Sequence, residues 1–216
     1  MQADAVRRGA LLAALLGLAA PAAAEERPVF PPARDVAVTY RLNSSQATLL
    51  RTVVLRYSAA TDRFRLEGAL PGTALPGYAL VDRKAGHATI VIERLGMMMD
   101  APPRAGLDQA FLLETGKHFV RKASETVAGL RCTVWDVAGD SASGAACVTA
   151  DGVVLRASGH DNKGRTGSIE ATQVEYGHQA AALFFPPADA RKVDLAGLLS
   201  GPAAAAVLGQ LRGRGP

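Results

Sequence analysis

The chain is poor in the residues that most often carry chemistry. Its 216 residues include two cysteines, four histidines and one tryptophan, and aromatics make up only 5%. The histidines (His87, His118, His160 and His178) are never paired at i, i+2 or i, i+4, and none stands at ligand spacing from either cysteine. No strand or helix face therefore presents a metal-ligating pair. No G-x-G-x-x-G or P-loop string is present, which leaves nucleotide cofactors without support. The nearest approach to a nucleophile elbow, Gly139-Asp-Ser-Ala-Ser-Gly144, lacks the second glycine at the required spacing. Asp161-Asn-Lys-Gly-Arg165 lacks the later acidic ligands of a calcium loop. Met97-Met-Met99 is soft enough for Cu(I), but successive strand side chains point to opposite faces, so the triplet reads as core or pocket filling. No catalytic residue, metal or cofactor is expected, and the chain is not expected to be an enzyme.

Long apolar runs are lacking as well. The longest, Ala10 to Ala20, falls short of the ~20 residues needed to cross a bilayer. It follows a basic start (Arg7, Arg8) and precedes Ala22-Ala23-Ala24, so residues 1–24 read as an export signal. The arginine pair hints at a twin-arginine signal, though basic residues are expected at that place in any export signal. Removing the signal takes away Arg7, Arg8 and Asp4 and lowers the formal charge from +4 to +3. Lysine and arginine are scattered along the chain, without the clustered basic face of a nucleic-acid binder. A periplasmic protein with no transmembrane segment in its mature chain is expected.

What the chain does contain is alternation. Val36, Val38, Tyr40 and Leu42 share one face of a strand, with Ala37, Thr39 and Arg41 on the other. Val53 and Leu55, Phe64 and Leu66, Leu80, and Ile90 and Ile92 continue the pattern in later runs. Period-two runs separated by turn signals (Ala60-Thr-Asp62, Pro76-Gly77, Lys84-Ala-Gly86) predict antiparallel sheet with one buried and one wet face. Residues 25–35 are charged and proline-rich and read as a tether, residues 36–193 as the sheet domain. A short helix is expected near Gly106–Glu114. Asp194 is suited to cap a helix from Leu195, so 194–216 read as a helical tail.

Both cysteines and the tryptophan fall in one predicted hairpin, Gly129–Val137 and Ala145–Arg156 around a Gly/Ser-rich loop. If Val137 faces Ala142, Cys132 faces Cys147, and an oxidising compartment would join them, the alternative being two free thiols. Trp135 has the opposite parity to Cys132 and is expected on the other face.

The stretches Val127–Val137 and Ala146–Leu155 resemble a family of exported proteobacterial domains of unknown function. Val38–Leu42, Tyr78–Arg83 and Leu183–Pro187 share the resemblance. Those domains are similar to the periplasmic lipoprotein carriers of the LolA-like fold. The resemblance implies a mainly β (α+β) fold, a strongly curved antiparallel sheet or open half-barrel with a few helices, and a pocket for acyl chains. The alternating residues Val36, Val38, Tyr40, Leu42, Val53, Leu55, Phe64, Leu66, Leu80, Ile90 and Ile92 are candidates for its concave face. A lipid or other hydrophobic ligand is one expected partner. An envelope protein is the other, in which case the same residues form an ordinary closed core.

Overall fold

The computed structural model describes residues 26–44, 52–69, 76–101, 117–139 and 142–194. The expected signal peptide, the helix near 106–114 and the tail beyond Asp194 lie outside these residues.

The alternating runs form strands, as their pattern predicts. They are β1 (Val36–Ser44), β2 (Thr52–Ser58), β3 (Arg63–Ala69), β4 (Pro76–Asp82), β5 (His87–Ile92) and β6 (Met97–Asp100). The second half supplies β7 (His118–Val127), β8 (Leu130–Ala138), β9 (Ala142–Val148), β10 (Val154–Asp161), β11 (Thr166–Tyr176) and β12 (Arg191–Lys192). All belong to one sheet in the order β12-β6-β5-β4-β3-β2-β1-β11-β10-β9-β8-β7. Neighbours are antiparallel except β12, which runs parallel to β6. The sheet is open, with β7 and β12 at its edges. The helical turns among the described residues are two 3-10 turns, Glu93–Leu95 and Ala181–Phe184. No helix among these residues is long and apolar enough to cross a membrane. Pro76-Gly77, expected as a turn, opens β4 instead, since proline is tolerated at the first position of a strand.

The alternation adds up across the sheet because consecutive strands pair in matching register. Val174, Val38, Leu55, Leu66, Ala79, Ile90 and Met99 stand opposite one another in a single row across seven strands. A second row runs Tyr176, Val36, Tyr57, Phe64, Val81 and Ala88 on the same face. The opposite face of β1 to β3 carries charge, with Arg56 and Arg65 both bonded to Glu67 at 3.0 and 2.8 Å, and Arg63 to Asp82 at 2.5 Å. Arg63 and Arg65 also donate to the carbonyls of Phe184 and Leu183, which seats the Ala181–Phe184 turn on β3 and leaves Phe184 1% exposed.

The sheet curls toward its apolar face. Residues 26–35, expected as a tether, lie against that face: Arg27 stacks on Phe119 of β7 (5.5 Å) and Phe30 on Phe64 of β3 (5.9 Å). Seven strand spacings separate β7 from β3, about 33 Å in a flat sheet. Three residues of chain reach only about 10 Å. The side chains add their own reach to this, and a sheet that wraps round the segment brings both contacts within it. Ladder irregularities in β7, β10 and β11 supply the bend. The Tyr40 hydroxyl reaches across β11 to the Val154 carbonyl at 2.6 Å, beside the irregularity between Val154 and Arg156.

Cys132 and Cys147 form a disulfide, with Cα atoms 5.3 Å apart, but not in the expected register. Ala138 pairs with Ser143 and Val137 with Gly144, so Cys147 stands opposite Val134 and the bridge is diagonal. The shift is by two residues. Because side chains alternate with period two, such a shift leaves both sulfurs on one face. Trp135 and the cysteines belong to different buried clusters, in keeping with their opposite parity.

Candidate functional site

Ten of the eleven candidate residues lie on the concave face by register, and one does not. Val36, Val38, Tyr40, Val53 and Phe64 are buried in the main core cluster, with Leu42, Leu55 and Leu66 half-buried against it. Ile92 is buried and Ile90 half-buried on the same side of β5. Leu80 is the exception. It stands opposite Arg65 and packs with Tyr78, Val91 and Met98 on the convex face. Both faces of β4 are apolar, Tyr78 and Leu80 on one and Ala79 and Val81 on the other, so alternation alone had no polar partner by which to orient this strand. Met98 lies with Leu80, while Met97 and Met99 stand opposite Ile92 and Ile90, so the methionine triplet divides between the two faces.

The main core cluster also holds Leu155 and Ala171, which the alternation did not single out, and Phe30 packs against it from outside the sheet. Phe30 packs against both major clusters, one containing Tyr57 and Phe64 and the other containing Trp135. A lone aromatic among Pro28, Pro31 and Pro32 was the available sign that this segment docks. Pro28 and Pro32 are buried. The segment is fastened at both ends. Glu26 pairs with Arg121 of β7. At the other end the Ala33 amide donates to the Asp151 carbonyl (2.8 Å), Arg34 pairs with the Asp151 carboxylate (3.0 Å) and lies 3.8 Å from the Tyr176 ring centre. The Asp35 carboxylate accepts from the amides of Ala59 and Gln179, both at 2.8 Å. Burial works to raise the Asp151 pKa, but hydrogen bonds from Thr149, Arg34 and Tyr176 outweigh it and hold the carboxylate below its ordinary value.

The face is apolar along its rows and charged at its margin. Beyond Val81, Arg83 lies 5.7 Å from the Phe30 ring centre and donates from Nη1 to Asp62 at 2.9 Å. The same Asp62 oxygen accepts from the Tyr57 hydroxyl at 3.1 Å. Burial first, and Asp62 second, push the Tyr57 pKa up to about 12, so its hydroxyl remains protonated and donating. The Nε of Arg83 and the Oγ1 of Thr61 are buried without a hydrogen-bond partner among the described residues. An open depression of about 730 Å³ at the β9–β11 end includes Asn43, Asp136, Ser158, His160, Thr166 and Ser168. Among the described residues no group of three or more His, Cys, Asp or Glu could hold a metal ion.

No protein-family model and no curated protein matches the chain. Solved structures similar to it include an uncharacterized conserved protein from Thermus thermophilus, at 14% identity and a TM-score of 0.48, covering 74% of this chain and 90% of that one. A LolA superfamily protein from Nitrosomonas europaea is similar at 8% identity and a TM-score of 0.38, covering 71% and 91%. The complex of Pseudomonas aeruginosa MucA and MucB gives 13% identity and a TM-score of 0.38, covering 75% of this chain and 59% of the matched one. The chain thus spans little more than half of that last protein.

Proposed function

We propose that the mature protein is a periplasmic, non-catalytic binder or carrier of a hydrophobic ligand, an acyl chain or lipid-like molecule, on the concave face of its sheet. The observation that carries this reading is the row from Val174 to Met99. It is apolar over seven strands, yet Leu55, Leu66, Ile90 and Met99 along it are only half-buried. An apolar concavity with a few polar groups at its margin is the usual form of a small-molecule site. Leu42, Leu55, Leu66 and Ile90 line the half-buried part, and the buried Val36, Val38, Tyr40, Val53, Phe64 and Ile92 form its floor. In this reading residues 1–24 are the export signal, and the disulfide suits the compartment to which it leads.

A second reading has one observation of its own. Phe30 fills part of the concavity from within the chain, as it would in an envelope interaction module with a closed core. Native mass spectrometry and solvent extraction of the purified mature protein, with uptake of a fluorescent fatty acid, separate the two. A co-purifying lipid or saturable uptake is expected. Neither appearing, while periplasmic crosslinking recovers a reproducible protein partner, would leave only the second reading.

A further inference from the structure

We infer that residues 26–33 are a strap occupying the place of the ligand, and that the ligand displacing it is an amphiphile with an anionic head group, carboxylate or phosphate, held by Arg83. This rests on the concave face being the ligand site. The strap is built to leave. Pro28, Pro31 and Pro32 have no amide hydrogen, so the segment cannot join the sheet as a regular strand. It is held by the Glu26–Arg121 pair, by Arg27 and Phe30 stacking on rings, by the buried rings of Pro28 and Pro32, and by the bond from Ala33 to Asp151. Beyond it, Arg34 and Asp35 anchor the chain to Asp151, Ala59 and Gln179, a fixed base for a segment that swings. Gly152 gives the strap its bed: a Cβ there would stand 2.8 Å from the Pro31 carbonyl oxygen.

The strap covers the residues an acyl chain would touch. Phe30 lies on Phe64 and meets both apolar clusters, so a chain of methylenes entering between them replaces one apolar surface with another. The head group is specified by what is left unpaired. Arg83 stacks on Phe30 and spends Nη1 on Asp62, which is also occupied by Tyr57, while its Nε–H is buried with no acceptor among the described residues. A buried donor without an acceptor is unfavourable, and the guanidinium edge carrying Nε matches the paired oxygens of a carboxylate or phosphate. An anionic head entering as Phe30 leaves supplies that acceptor. A neutral ester offers only an uncharged carbonyl oxygen, a weaker acceptor for a guanidinium than a paired anionic edge.

The test uses the mature chain with three fluorescent dodecyl probes: the fatty acid, the alkyl phosphate and the fatty-acid methyl ester. The expected result is at least tenfold tighter binding of one or both anionic probes over the ester. The two anionic arms distinguish carboxylate from phosphate. Arg83→Gln is expected to abolish the preference while retaining ester binding, which shows that the variant is folded. Phe30→Ala is expected to tighten all three probes several-fold, and the anionic probe to speed hydrogen exchange at the Ala33 amide of the wild type. Binding without a preference, or a preference that survives Arg83→Gln, overturns the head-group assignment and leaves the carrier reading standing. Unchanged affinity in Phe30→Ala with unchanged exchange at Ala33 overturns the strap. No binding of any probe to either the wild type or Phe30→Ala overturns the carrier reading and this inference with it.

Discussion

At Gly144, on β9, the backbone of β10 leaves no room for a side chain. A Cβ at this position would stand 2.1 Å from the Ser158 carbonyl oxygen and 2.7 Å from the Gly159 Cα, backbone atoms that cannot step aside. Gly167 lies on the next strand in the same cross-strand row, and a Cβ there would meet only the Asn43 carbonyl oxygen, at 3.8 Å. Gly144→Ala is therefore expected to cost at least about 2 kcal/mol through forced separation of the strands, and Gly167→Ala to be nearly neutral. Denaturant unfolding of the two variants checks the contrast, and equal losses would contradict it. The tyrosines make a second expectation at this scale. Burial and Asp62 push Tyr57 up to about 12, and burial raises Tyr40 and Tyr176 as well. An unfolded chain ionises these groups near pH 10. Above that pH the unfolded state releases protons that the folded state keeps. Stability is accordingly full below pH 10 and falls as pH rises toward 12. Tyrosinate absorbance should therefore rise together with unfolding, and Tyr57→Phe should flatten part of the decline.

At the scale of the element, the β8–β9 hairpin shows how strand periodicity tolerates error. The loop lies one residue pair away from where turn composition places it, so the direct partner of Cys147 is Val134. A slip of one residue would have sent one sulfur to the opposite face. A slip of two leaves them on the same face and within bridging distance. The bridge closes a loop of 15 residues, worth about 3 kcal/mol in the chain-entropy model. At roughly 2–4 °C per kcal/mol for a chain of this size, Cys132→Ser is expected to lower the melting temperature by roughly 6–12 °C. Calorimetry on oxidised wild type and variant reads this directly, and alkylation of native protein should find no free thiol in the wild type. The row of β2 to β5 makes a complementary expectation. Leu66→Gln alters a half-buried position on the concave face and should weaken uptake of an acyl probe several-fold with little loss of stability. Phe64→Ala removes a fully buried ring and should cost about 3–5 kcal/mol. Thermal melts run beside the binding titrations separate these effects.

For the whole molecule, strand existence and the apolar face were legible because both depend on local alternation. Val36, Val38 and Tyr40, and Phe64 and Leu66, each have polar neighbours that orient their strand. Leu80 was misassigned because Tyr78-Ala-Leu-Val81 is apolar on both faces, and only pairing with β3 decides which side Leu80 takes. The Tyr176–β1 pairing joins segments more than a hundred residues apart, and no periodicity within either announces it. The same holds for the strap. Its prolines exclude regular structure locally, and its position depends on Phe64, Phe119 and Asp151, which come together only when the sheet curls.

The sequence by itself determined the strands, which side of most of them avoids water, and the pairing of its two cysteines, since each of these follows from side-chain period and short-range spacing. The tertiary structure alone decided the strand order, the diagonal register of the bridge, the curl of the sheet and the docking of Phe30 against its apolar face. Those properties come from ladder irregularities and long-range hydrogen bonds, whose partners are distant in sequence and are specified only by the closed set of contacts.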